Sequence, residues 1–171
     1  MTLVRGLQHA VAAGIDVQVD LVGSLGEGPE GALRWAAFEE DLLQAGMADR
    51  VHLHGHVPSA VRAELLAGSD VVLWIGRSLP GAGLPEMVVE ATAANRCVIA
   101  SAVPELTWCP AIAEHVTLVA PGDGEALAAA LVGFAGDRGL ALQKLHAGRV
   151  LLVARAAEES SLSLPLVPDV R

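Results

Sequence analysis

Residues 82–101, AGLPEMVVEATAANRCVIAS, open on a Gly-Leu-Pro turn, continue as an apolar helical segment and close on a short β-branched run, CVIAS. A turn, a helix and a strand in that order form the repeating unit of a parallel sheet, whose neighbouring strands need crossover connections. Two positions in the stretch stand out. Glu90 interrupts an otherwise greasy helix, and Ala82 lies eight residues before it.

The same alternation extends in both directions. Apolar or β-branched runs occur at VQVDLVG (17–23), VHLHG (51–55), DVVLWI (70–75), CVIAS (97–101) and HVTLV (115–119), and each predicts a strand. Helical patterns fill the intervals. Thr2 can cap a helix with Leu3, Leu7, Ala10 and Val11 on one side, ending before Gly14. A second starts at Pro29 and runs to Gly46, with proline in its first turn and glycine past its last. Further helices are predicted over SAVRAELLAG, PEMVVEATAA, the segment near ELTWCPAIAE, GEALAAALVGFAG and residues 138–157. Strands alternating with helices predict an α/β domain, a Rossmann-like parallel sheet with helices on both faces. We place this domain over residues 1–157 and read 158–171, with its serines and two prolines, as a flexible tail.

That sheet lacks an element. In the doubly wound strand order 3-2-1-4-5-6 a central strand precedes the first helix, whereas here the first apolar pattern is already helical. Unpaired backbone groups in the middle of a sheet cost about 1–3 kcal/mol each when buried. The sequence therefore leaves three options open: the sheet closes up without that strand, a partner supplies it, or the chain is a fragment of a longer protein.

Composition narrows the function. Of 171 residues 53% are hydrophobic, enough for one folded domain with its own core. Acidic residues outnumber basic ones by 20 to 11, and the net charge of −9 repels nucleic acid and anionic membranes. Lys144 is the single lysine, and no basic stripe with interleaved aromatics occurs. There is no uninterrupted apolar run of membrane-spanning length, and Arg5, His9 and Asp16 stand where a signal peptide would need an apolar core, so the expected location is cytoplasmic. Cys97 and Cys109 lack metal-ligand or redox spacing and read as reduced, buried thiols.

Five segments in collinear order, LVGSLGEGPE, ADRVHLHGHVPS, GSDVVLWI, AGLPEMVVEATAANRCVIAS and LVAPGDGEALAAAL, resemble the C-terminal, donor-binding half of retaining glycosyltransferases of the GT-B fold, family four. The resemblance spans roughly residues 3–137. It implies a domain that holds a nucleotide-activated sugar, with no metal and no other cofactor. The acceptor and much of the catalytic machinery would come from an N-terminal domain across a cleft, so no catalytic residue is assigned here and the isolated chain is expected to be inactive. An N-terminal GT-B domain on another chain, or a homo-oligomer, is the implied partner.

In that family two glutamates separated by seven residues frame the donor. The second is matched by Glu90, implied to accept the ribose hydroxyls, a task that suits an acceptor-only group able to take two vicinal hydroxyls. Outside this context Glu90 reads first as a helix glutamate reaching solvent. The first falls on Ala82, which offers no acceptor, and Glu86 is only one helical turn before Glu90, a poor substitute at that spacing. Around them the resemblance assigns Gly83, Leu84 and Glu86 to the donor-binding turn and helix start, where backbone amides and the positive helix end can face a diphosphate; Gly81 belongs to the same turn. The family's usual phosphate-binding cations lie in the region missing here, which leaves Arg77, after DVVLWI, as the nearby candidate. Gly23 and Val57 match positions bordering the nucleotide, and both read otherwise as ordinary strand-end loops.

His52, His54 and His56 alternate in HLHGH. Ligands on one straight strand are about 6.5 Å apart in succession, too far to surround one ion, so no metal site is expected. Dinucleotide-binding, Walker-type, HExxH and Ser-His-Asp motifs are absent. A competing expectation is a non-catalytic module that retains the fold and binds a partner protein. It rests on Ala82, the missing cations, and Asn95 and Cys97 where the family favours glycine and proline.

Overall fold

The computed structural model describes residues 2–23, 28–78, 83–113 and 115–136. In chain order these form α1 (Thr2–Ala12), β1 (Val19–Val22), α2 (Gly28–Gln44), a 3-10 turn (Ala48–Arg50), β2 (Val51–Gly55), α3 (Ser59–Gly68), β3 (Val71–Trp74), α4 (Glu86–Ala93), β4 (Cys97–Ser101), α5 (Pro104–Thr107), α6 (Pro110–Ala113), β5 (Thr117–Val119) and α7 (Gly124–Gly136). Each described strand lies inside a run read from the sequence. Thr2 is the first residue of α1 rather than a residue preceding it. The single helix predicted near ELTWCPAIAE is two short ones, because Pro110 has no N–H for a continuing ladder and opens α6 instead. The predicted helix over 138–157 and the tail lie outside the described residues.

All strand pairs are parallel, and they fall into two sheets, β1–β2 and β3–β4–β5. Among the described residues β1 and β3 are not hydrogen-bonded to each other, so the sheet does not close up across the position of the expected central strand. The α/β class with parallel strands stands, but as two hydrogen-bonded pieces.

Alternation along β4 shows how the two faces are covered. Ile99 joins one core with Val4, Leu7 and Ala10 of α1, Phe38 and Leu42 of α2, and Leu127 and Leu131 of α7. Val98 and Ala100 point the other way, into a second core with Val88 and Ala91 of α4, Leu106 of α5 and Ile112 of α6. Successive side chains of a strand leave opposite faces, so a strand buried at each position must be sandwiched between two helical layers. β4 is buried from end to end, whereas β1 and β3 are only half-buried over most of their length.

Helices α1 and α7 meet through small residues. A Cβ placed on Gly6 would sit 2.6 Å from Leu127 Cδ2, and one on Gly124 would sit 2.9 Å from Arg5 Cβ. The two backbones therefore approach more closely than any larger residue at either position allows.

Candidate functional site

Helix α4 begins after Gly83, Leu84 and Pro85. Gly83 has φ +73°, a conformation that only glycine adopts freely, and it turns the chain into the helix. Leu84 anchors that turn by packing against the second core. Pro85 precedes the helix and its carbonyl accepts from the amides of Val88 and Val89. No described residue accepts from the amides of Glu86 and Met87, so two orphan donors remain at the positive end of α4.

Glu86 and Glu90 are one turn apart on the same face of α4. Glu86 is exposed, and Glu90 is about a third exposed at its side chain. Between them reaches a residue the sequence reading did not single out. Arg62, in the first turns of α3, places Nη2 2.7 Å from Glu90 Oε1 and 3.6 Å from Glu86 Oε1. No described residue donates to Glu90 Oε2, which stays available to a ligand. In the sequence Arg62 is one arginine in a helix. Its distance of 28 residues from Glu90 is closed only by the crossover that lays α3 beside α4.

Val57 lies, half-buried, in the loop between β2 and α3, and the amide of Arg62 donates to the carbonyl of Pro58 at 3.0 Å. The β2–α3 loop is thus continuous with the helical turn that delivers Arg62 to Glu90. Gly23 sits at the end of β1 with φ +114°, and its amide donates to the Gly55 carbonyl at 2.8 Å. That amide is therefore already engaged. A register shift between Leu21 and Val22 accompanies this contact. The structure connects Glu86 and Glu90 through Arg62 to the Val57 loop, and Gly23 to the end of the strand that feeds that loop.

Arg77 is exposed on the segment after β3, and no described residue forms an ion pair with it. Its neighbour Ser78 donates to Glu105 Oε1 at 2.8 Å, which ties this segment to the start of α5. Gly81 and Ala82 lie outside the described residues. Among the described residues no cluster of three or more His, Cys, Asp or Glu could hold a metal ion. Of the alternating histidines, His54 places Nε2 2.6 Å from Asp20 Oδ1 across the β1–β2 pair. Cys97 is buried, and burial pushes its thiol pKa up, away from reactivity. No described helix is long and apolar enough to cross a membrane.

These features can be set beside known proteins. The family described as Glycosyl transferases group 1 matches residues 2–137. Comparison with curated proteins finds no match. Among solved structures, sucrose-phosphate synthase from Thermosynechococcus elongatus is 27% identical with a TM-score of 0.72, over 94% of this chain and 41% of that one. HepE of Anabaena, in complex with UDP-glucose, is 19% identical with a TM-score of 0.69, over 92% and 44%. The C-terminal domain of a glycosyl transferase group 1 family protein from Francisella tularensis is 19% identical with a TM-score of 0.71, over 91% and 80%. At such identities the last two likenesses are of fold. The chain spans less than half the length of the first two.

Proposed function

We infer that this chain, which belongs to the glycosyl transferases group 1 family, is the donor-binding half of a glycosyltransferase that moves a hexosyl group from a nucleotide-activated sugar. The observation that carries this reading is Glu90. It projects from α4 with one carboxylate oxygen held by Arg62 and the other without a donor among the described residues, linked through Arg62 to the loop after β2 and one turn from the free amides of Glu86 and Met87. A ribose needs an acceptor for two vicinal hydroxyls, and a diphosphate needs unpaired N–H groups at a helix start. Here both lie on one turn of one helix. Arg77 is the cation offered by the segment before α4, and Gly23 and Val57 border the nucleotide.

The acceptor side of the reaction lies outside this half. An N-terminal GT-B domain on another chain, or a second copy, would face it across the cleft, and the purified chain alone would transfer no sugar. HepE is in complex with UDP-glucose, so UDP and UDP-glucose are the first probes, followed by GDP, ADP and their sugar conjugates. Calorimetric titration of the wild-type chain is expected to show binding of one nucleotide, weakened at least tenfold by Glu90→Ala, as for the loss of charge-assisted bonds worth about 1.5–3 kcal/mol. A folded wild-type chain that binds none of these ligands would sink the reading.

Ala82 favours a second reading, a module that keeps the fold and binds a partner protein instead of a donor. Alanine cannot accept a bond from the sugar where the family has a glutamate. Ala82→Glu separates the two: tighter binding of the sugar conjugate relative to the bare nucleotide supports a weakened enzyme half, and an unchanged ratio supports the module.

A further inference from the structure

We propose that Arg62 is a positioning residue for the ribose subsite, holding Glu90 in its hydroxyl-accepting conformation before the nucleotide arrives; this rests on the donor-binding reading of Glu90 given above. The geometry separates the two carboxylates within its reach. Glu86 is 3.6 Å away with 76% of its side chain exposed, whereas Glu90 is 2.7 Å away and both partners are about 30% exposed. The shorter, better-shielded contact is the one that fixes a conformation; the longer is a solvent-screened companion.

The bond is single-point. Arg62 Nη2 meets Oε1 and leaves Oε2 without a described donor. A carboxylate has about four lone-pair sites, so one guanidinium N–H leaves room for both hydroxyls of a diol. A glutamate free to rotate would have to surrender its rotamer freedom when the ribose docks, and a glutamate already held surrenders it on folding.

The helix that carries Arg62 strengthens the assignment. No residue of α3 is fully buried, and Leu66 packs partly buried against the second core. Two arginines tie the ends of the helix. Arg96, after α4, donates to the carbonyls of Ala67 at 2.6 Å and Ser69 at 2.9 Å, at the C-terminal end of α3. Arg62 ties the N-terminal end to Glu90. Loss of the Arg62 side chain therefore releases Glu90, whereas the bond from the Arg62 amide to the Pro58 carbonyl, which continues the Val57 loop into α3, is backbone and stays.

The test pairs a protein substitution with a ligand deletion. Wild type, Arg62→Ala and Arg62→Lys are titrated with UDP, GDP and ADP and with the 2′,3′-dideoxy form of whichever binds, after circular dichroism shows that each variant is folded. Arg62→Ala is expected to weaken the full nucleotide about five- to tenfold while leaving the dideoxy ligand nearly unchanged, because the lost preorganisation concerns the hydroxyl acceptor alone. Arg62→Lys should recover part of the loss, since a lysine supplies a point charge without the planar fork. Equal weakening of both ligands would make Arg62 a general structural tie and overturn the proposal, as would tighter binding by Arg62→Ala, the mark of an arginine that blocks the ribose seat. Either result leaves the donor-site reading standing. A folded wild-type chain that binds no nucleotide overturns both.

Discussion

Asn95 has φ +60°, the sole non-glycine positive φ among the described residues. It follows α4 as the residue of a Schellman ending: its amide donates to the Thr92 carbonyl at 3.1 Å and the Arg96 amide to the Ala91 carbonyl at 2.9 Å. In the sequence Asn95 counts as a departure from a family glycine and as support for a degenerate module. The backbone removes that weight, because asparagine is the side chain that best tolerates the left-handed conformation after glycine. Its Oδ1 is buried with no partner among the described residues, which adds a desolvation cost. Asn95→Gly is therefore expected to raise stability and Asn95→Ala to lower it, with about 1–2 kcal/mol between the two variants by urea denaturation. A more stable alanine variant would contradict the left-handed assignment. Cys97 gives a pH dependence of definite sign. Burial raises its thiol pKa, so below the ordinary thiol value both states hold the proton and contribute no slope. Above it the unfolded chain loses a proton that the folded chain keeps, and stability falls as pH rises past the ordinary thiol value of about 8.5. Urea midpoints above that pH should decline less steeply for Cys97→Ala; equal slopes would exclude Cys97 as the cause.

At the scale of elements, three helices share one ending. In α1, α2 and α4 the second residue past the helical stretch has a positive φ, at Gly14, Gly46 and Asn95, and the next amide reaches back to the Ala10, Leu42 or Ala91 carbonyl. Two of the three were legible in the sequence because glycine announces the position, and the third was not because asparagine has other uses. Strands were legible for a similar reason: β-branched runs need only local chemistry to be recognised. Packing between helices was not. Nothing local marks Gly6 as the point where α1 rests on α7, since a glycine inside a helical pattern reads only as a weak helix former. There a Cβ would meet Leu127 Cδ2 at 2.6 Å, and Leu127 is fully buried with no room to retreat. Gly6→Ala should therefore destabilise by about 1 kcal/mol or more despite the better helix propensity of alanine, and Gly6→Val by about 1–3 kcal/mol. If Leu127→Ala in the Gly6→Val background restores part of the loss, the clash is located; if the two effects simply add, it is not.

At the scale of the molecule, the sequence posed a choice that the fold partly resolves. Strand order and the initial helix left it open whether the sheet would close without a central strand, and β1 and β3 are not paired with each other among the described residues. The donor site was legible as far as Glu90 and the turn before α4, because those residues are contiguous. Arg62 was not, because it reaches Glu90 only through the arrangement of α3 and α4. The split sheet has a measurable signature. In a parallel sheet a strand paired on both sides has its amides bonded alternately to either neighbour, whereas a strand paired on one side leaves every second amide without a partner. β4 is paired with β3 over Cys97–Ala100 and with β5 over Ile99–Ser101, and is buried at all five positions, while among the described residues β1 and β3 are each paired on one side alone. Amide hydrogen exchange should therefore show continuous protection at residues 99–100, where β4 is paired on both sides, and alternating protection along 19–22 and 71–74. Continuous protection in β1 and β3 of the isolated chain would mean that their free edges pair in solution, either with each other or with a second copy. Repeating the exchange at tenfold lower protein concentration separates these: protection that fades on dilution belongs to an assembly, and protection that persists belongs to a sheet closed within one chain.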